Sequence, residues 1–241
     1  MPSRTLVAAL LLAAASAFGS ASAQQAAQGP TKTVDIGGRP VQLIVPAGQC
    51  ELDRQHRFDA SVLDLATRAI AGANEMLLHT AECVGLDGAR TGRVPYLNDF
   101  TQVQVALQFK GTELRGQEAA AAKEICQSLR TDGAQIEKKA GAEIKDRVKN
   151  LQAGIAVNET RALGVLGEDQ NACYSGILMN VQTPTGETRL ILGVYAMGVL
   201  NGRLVFLYRF AANPPSGAVD NMVQLQQQLM REHVALNSQR R

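Results

Sequence analysis

Four cysteines, three histidines and a handful of carboxylates are the residues of this 241-residue chain whose types and spacing bear on chemistry. Cys50, Cys83, Cys126 and Cys173 are separated by 33, 43 and 47 residues, with no C-x-x-C pair and no C-x-x-C-H attachment site. That spacing speaks against a zinc, iron–sulfur or haem site. The even count favours two disulfides where the compartment is oxidising. His79 and Glu82, three apart beside Cys83, invite a metal reading, but they supply a single helical turn of ligands and Cys83 is better used in a disulfide. His56 and His233 stand alone. Ser175 lacks the glycine two residues upstream that a nucleophile elbow needs. Gly164-Val165-Leu166-Gly167 is followed by Glu168 and Asp169, not by the Lys and Ser/Thr of a phosphate-binding loop. Phe206, Tyr208 and Phe210 alternate with Val205, Leu207 and Arg209 and read as core packing rather than a ligand platform. No catalytic, cofactor or metal set is therefore expected, and the site residues are the four cysteines.

The compartment follows from the N-terminus. Arg4, the apolar run Leu6 to Ala15 and the small residues Ala21-Ser22-Ala23 form an export signal, so that 1–23 is a signal peptide and the mature chain starts near Gln24. The expected location is periplasmic or secreted. With 24 basic and 22 acidic residues the chain has no electrostatic case for nucleic acid. The N-terminal apolar run is too short for a membrane span and no later stretch reaches about 18–20 uninterrupted apolar residues.

These cysteines must be positioned by elements readable from periodicity. Gln24–Thr33 is small and polar and is expected to be a disordered leader. Val34–Ile36 and Val41–Val45, joined through Gly37-Gly38, form a hairpin. Val62, Leu63, Ala66, Ile70, Ala73, Met76 and Leu77 keep the helical period and predict a helix over 59–80 with Asp59 as N-cap. Leu97–Asp99 suggests a helical turn before a half-buried strand over 101–109. Gln117 to about Gln152 is helical, with Ile125, Leu129, Ile136, Ala140, Ile144, Val148 and Leu151 as its stripe and Thr131-Asp132-Gly133 dividing it in two. Strands over 161–166, 173–181, 187–199 and 203–210 make an antiparallel meander whose last turn is Asn201-Gly202. Leu190–Val199 is apolar enough to be covered on both faces. A helix over 216–236 closes a single domain spanning 34–236, and 237–241 is a frayed tail. Four cysteines allow three connectivities. The elements favour Cys50–Cys83, at a strand end and at the end of the helix returning to it, and Cys126–Cys173, on a helix able to pack over its strand.

The segment Leu200–Tyr208, a hydrophobic hairpin with a short polar turn, and the helix that follows from Ser216 to Leu236 resemble the Mog-type, PsbP-like α/β/α sandwich. Val45-Pro46-Ala47-Gly48-Gln49-Cys50 is similar to the opening of uncharacterised exported bacterial proteins. The resemblance implies an α+β fold, an antiparallel sheet of hairpin plus four-stranded meander covered by helices, in which members act mainly as binding or assembly modules and no catalytic set carries over. The resulting expectation is a non-catalytic exported module whose partner is another envelope protein or a small apolar ligand. The alternatives are a structural or stress-related envelope protein and a hydrolase whose His79, Glu82 and Asp99 meet only in the folded chain.

Overall fold

The structure is a computed structural model that describes residues 29–150 and 154–238. The expected signal peptide, residues 24–28 of the expected leader, Leu151 and Gln152 of the expected helix, and 239–241 of the expected tail lie outside the described residues. Gly37 and Gly38 adopt φ of 56° and 77°, the left-handed pair a type I′ turn requires. They close β1 (Thr31–Ile36) on β2 (Arg39–Ile44), with Ile36 opposite Arg39. Ordered strand thus begins at Thr31, inside the segment expected as leader.

The short strand β3 (Gln49–Glu51) leads into helix α1 (Arg57–Ile70). The cap is His56, whose Nδ1 accepts from the Phe58 amide at 3.3 Å; Asp59, the expected cap, is buried one turn in. The helix stops ten residues short of Thr80, because Gly72 takes φ of 79° and the chain continues as β4 (Asn74–Glu82). A bulge between Met76 and Leu78 lets the consecutive Leu77 and Leu78 both enter the core. That doublet imitates helical spacing in the sequence. Helix α2 (Cys83–Arg90) follows at once, and Leu97–Asp99 is an irregular link whose last residue opens strand β5 (Asp99–Ala106). The strand ends at Ala106, and Leu107–Phe109 is a 3-10 turn instead of its continuation.

Helix α3 (Glu118–Asn150) runs unbroken through Thr131–Gly133. Thr131 donates its hydroxyl to the Gln127 carbonyl one turn back, and packing over the sheet outweighs the roughly 1 kcal/mol that a mid-helix glycine costs. Strands β6 (Ala156–Glu168), β7 (Ala172–Gln182), β8 (Thr188–Leu200) and β9 (Arg203–Ala212) form the expected meander, and α4 (Ala218–Ser238) closes the chain. Asn237, placed by the sequence in a frayed tail, is a buried residue of α4.

The fold is α+β. The meander supplies four strands of a seven-stranded antiparallel sheet in the order β3-β4-β5-β9-β8-β7-β6, while β1 and β2 form a separate two-stranded sheet. Alternation along β9 divides its two faces. Val205 and Leu207 join Ala196, Val103, Leu229 and Met230 in the main core, together with Ile36, Val41 and Leu43 of the hairpin. Phe206, Tyr208 and Phe210 point the opposite way, toward α1 and α3. Strand β8 is covered on both sides from Leu192 onward, although Leu190 at its entry is 39% exposed.

Helix α4 holds the hairpin with side chains that copy a strand edge. Asn237 accepts from the Gln42 amide and donates to the Gln42 carbonyl, both at 2.9 Å, and His233 Nε2 accepts from the Ile44 amide at 3.0 Å. Two turns up, Gln226 Nε2 donates to the carbonyls of Val194 and Leu207 on neighbouring central strands.

Cys50 bonds to Cys83 with 5.0 Å between Cα atoms, and Cys126 to Cys173 with 5.3 Å, the expected pairs. The route to the first pair differs from the one anticipated. Cys83 follows a strand, not a helix end: Gln49 pairs with Glu82, so that the two sulfurs sit at the matched ends of neighbouring strands. Among the described residues no helix is long and apolar enough to cross a membrane.

Asn201 and Gly202, at φ of 46° and 80°, set the β8–β9 register by placing Leu200 opposite Arg203. Replacing Gly202 by Val forces a branched side chain into the left-handed region, and urea unfolding should show a loss of about 1–2 kcal/mol, whereas Gly202→Asn, which tolerates that region better, should lose less. Equal stability of Gly202→Val and the parent would show that another element fixes this register.

Candidate functional site

On the face turned toward α1 and α3, cross-strand pairing lines up side chains from five strands. One row runs Ser175, Tyr195, Tyr208, Gln102, His79, and the next runs Cys173, Met197, Phe206, Gln104, Met76. A third carries Gly193, Phe210, Phe100 and Ala81. Of the chain's six phenylalanines and four tyrosines, five are gathered here. Their rings form a continuous path: Phe100 to Phe210 at 4.9 Å, Phe210 to Tyr208 at 6.0 Å, and Tyr208 to Phe206 and Tyr195 at 6.2 and 5.4 Å. Gly193 makes the floor flat, because a Cβ there would meet the Phe210 ring at 2.9 Å.

Two helices wall this floor. Phe100 packs with Phe58, Val62 and Leu63 of α1, and Phe206 and Tyr195 pack with Ile125 and Leu129 of α3. Tyr208 and Phe210 lie between the walls, half-buried and in neither apolar cluster. The reading of these rings as packing residues holds for Phe206, which joins the α3 cluster, while Tyr208 and Phe210 lie outside both clusters even though α1 and α3 touch one another.

The floor has a polar end. Asn74 donates to Gln104 Oε1 and Gln104 donates to Gln102 Oε1, both at 2.8 Å, which leaves the Gln102 amide nitrogen without an acceptor among the described residues. Burial, reinforced by Tyr195, pushes the Tyr208 hydroxyl up so that it stays protonated, with the Asn74 amide opposing the shift. Beside Gln102, the His79 ring is 4% exposed and lies 5.6 Å from Phe100. Neither of its nitrogens has a partner among the described residues. Burial lowers its pKa to about 4, against the opposing charge of Asp59, so the ring is neutral at neutral pH.

Asp59 explains how α1 is held. Burial alone would raise this carboxyl. Hydrogen bonds from Arg90, at 3.1 and 2.5 Å, and from the Asp53 amide, at 2.8 Å, overcome that and hold it below the usual carboxylate range. At the β4 edge of the sheet, His79 also lines a cavity of about 470 Å³ with Leu63, Thr67, Met76 and the charged residues Lys32, Glu51, Asp53 and Arg54.

The residues singled out by spacing do not converge. His79 faces α1, while alternation along β4 puts Glu82 on the other face. Asp99 is also on that other face, where it pairs with Arg209 at 2.7 Å and accepts from Gln49 at 3.2 Å. The Ser175 hydroxyl donates to the Gly164 carbonyl at 2.7 Å and ties β7 to a bulged stretch of β6. All four cysteines are in disulfides. Among the described residues no three His, Cys, Asp or Glu side chains are placed to hold a metal ion. The amide chain Asn74–Gln104–Gln102 was missed, although Gln102 and Gln104 alternating with Val103 and Val105 mark one face of β5 as polar. No protein-family model matches the chain, and no curated protein matches it.

The buried histidines make stability depend on pH. His233, like His79, is lowered by burial to about 4, with the Leu229 carbonyl opposing. The unfolded chain therefore binds protons between about pH 6.5 and 4 that the folded chain refuses, and stability falls as pH drops through that window. Urea unfolding at pH 7 and pH 5 should differ by roughly 2 kcal/mol for each of the two histidines. A His79→Gln variant should lose about half of that difference, and an unchanged difference would mean that His79 is not buried neutral.

Proposed function

We propose that this protein is an exported, non-catalytic binding module of the bacterial cell envelope that holds a small apolar ligand on the aromatic sheet face. The observation that carries this reading is the partly buried path of five rings between α1 and α3, four of them stacked in succession and Tyr195 tilted against Tyr208, with the Gln102 amide nitrogen, unpartnered among the described residues, at one end. Rings held by neighbouring strands present a rigid apolar surface that loses little conformational entropy on binding. A few polar groups at one end then orient the ligand. Two disulfides, which persist where thiols are not kept reduced, support the export half of the proposal, as does the N-terminal segment. The PsbP-like resemblance belongs to the same proposal, with specificity set by surface shape and not by a shared catalytic centre.

The test uses N-phenyl-1-naphthylamine, a neutral aromatic fluorophore. The chain has no tryptophan, so energy transfer from tyrosine reports proximity of the probe to Tyr208 and Tyr195 against little background. Bound probe should brighten and quench tyrosine emission, and Phe210→Ser should weaken it by about tenfold, the equivalent of one lost aromatic contact. Absence of binding to the parent, or equal binding by Phe210→Ser, would remove the aromatic face as the site. N-terminal sequencing of protein recovered outside the cytoplasm should begin at or near Gln24; an intact Met1 there would contradict the signal-peptide assignment.

A further inference from the structure

The edge of the seven-stranded sheet is incomplete at β4. Strand β3 pairs only with Thr80–Glu82, and after the Leu52 amide donates to the His79 carbonyl at 3.0 Å the chain turns away toward α1. From Asn74 to Leu78, β4 has β5 as its single strand partner among the described residues. Five residues of strand span about 16 Å, enough for several ladder hydrogen bonds. The cavity of about 470 Å³ opens along this stretch, walled by Leu63 and Thr67 of α1 on one side and by Lys32 of β1 on the other.

The charges around the opening are unequal. Lys32 is paired with Glu51 at 2.5 Å and Arg54 with Asp64 at 2.7 Å. The Asp53 carboxylate accepts from the Gln55 amide and forms no ion pair among the described residues; Arg90, whose charge it feels, is already bonded to Asp59, which leaves an excess of negative charge at the mouth. Within the cavity, the unpartnered His79 ring offers a neutral donor and acceptor. An unpaired strand edge is a template for an added strand, the added backbone supplies affinity, and alternate side chains entering pockets supply selectivity.

We propose that the Asn74–Leu78 edge of β4 is a strand-addition site for an extended peptide, which places an apolar side chain between Leu63 and Met76 and a Lys or Arg against Asp53. This site adjoins the aromatic face at the sheet edge, where His79 and Met76 border both, and goes beyond the ligand reading made for that face.

The probe is the N-acetylated, C-amidated peptide Ala-Val-Lys-Val-Ala, titrated to about millimolar concentration into the full mature protein and followed by amide NMR shifts. Two comparison peptides replace Lys by norleucine or the second Val by Pro. The lysine peptide should shift the amides of Glu75–Leu78 and bind about fivefold more tightly than the norleucine peptide, as one partly exposed ion pair allows. Asp53→Asn, which retains the acceptor for the Gln55 amide, should bring the lysine peptide to the norleucine level. The proline peptide, lacking one backbone donor, should bind at least about tenfold more weakly. Thr67→Trp, at an exposed position of α1, should fill the opening and abolish binding of all three. The proposal is overturned by absence of binding, by a proline peptide that binds as well as the others, by indifference to Asp53→Asn, or by shifts confined to Tyr208 and Phe210. The last outcome would leave the aromatic-face site standing alone.

Discussion

The register between β8 and β9 is set by two residues with left-handed backbone angles, Asn201 and Gly202, and almost everything else in the molecule depends on it. With Leu200 opposite Arg203, Leu207 faces Ala196 and Tyr208 faces Tyr195. A slip by one residue would send Val205 and Leu207 to the helix α3 side and bring three aromatic rings into a core already filled by Ile36, Leu43 and Met230. Strand β5 then reads off β9, with Val103 against Leu207 and Gln102 against Tyr208, so the same turn decides where the polar amides sit. The turn is itself tied down. Asn201 donates to the Pro40 carbonyl, and Arg203, 5% exposed, spreads its guanidinium over the carbonyls of Ile36, Gly37 and Thr112.

Polar groups do on the α4 side what apolar packing does elsewhere. The hairpin β1–β2 is too small to be stable alone and leaves an edge that must be satisfied. Asn237 and His233 satisfy part of it from a helix, with the His233 Nδ1 turned to the Leu229 carbonyl and Nε2 left to accept from Ile44. This arrangement requires a neutral ring, and burial supplies one by lowering its pKa. Side chains at i, i+7 and i+11 of α4, Gln226, His233 and Asn237, therefore carry a function that hydrophobic periodicity does not encode.

That is where sequence reasoning stopped. Period-two and turn signals were strong for β6–β9, since Asn201-Gly202, Thr183–Gly186 and the alternation in β9 all act locally. The paired cysteines also followed, because only neighbouring elements can bring sulfurs together. Residues 74–80 carry a helical apolar spacing yet form a strand, because a bulge places Leu77 and Leu78 in one core. The continuity of α3 past Gly133 depends on contacts with β6, β7 and β8, which no local window contains. The site was illegible for a related reason. Four of the rings lie on the β8–β9 hairpin, and the fifth, Phe100, joins them with the amides of Gln102 and Gln104 only when β5 is inserted beside β9, a long-range pairing with no sequence signature.

The two sides of the sheet are held by different forces. Helix α4 buries six residues, among them Met222, Leu229 and Met230, and its attachment is a packed core. On the opposite side, α1 fully buries a single residue, Asp59, and that residue is charged. Its ion pair with Arg90 and the two disulfides supply what apolar burial does not: Cys126–Cys173 fixes α3 to β7, and Cys50–Cys83 fixes the start of α2 beside β3. Loops of 33 and 47 residues give each bridge about 4 kcal/mol in the chain-entropy account. Covalent and ionic attachment holds a wall at its ends without requiring its inner surface to be filled. Tyr208 and Phe210 accordingly join neither apolar cluster although α1 and α3 touch one another, and the lightly packed seam over these two rings is where a ligand would have to enter.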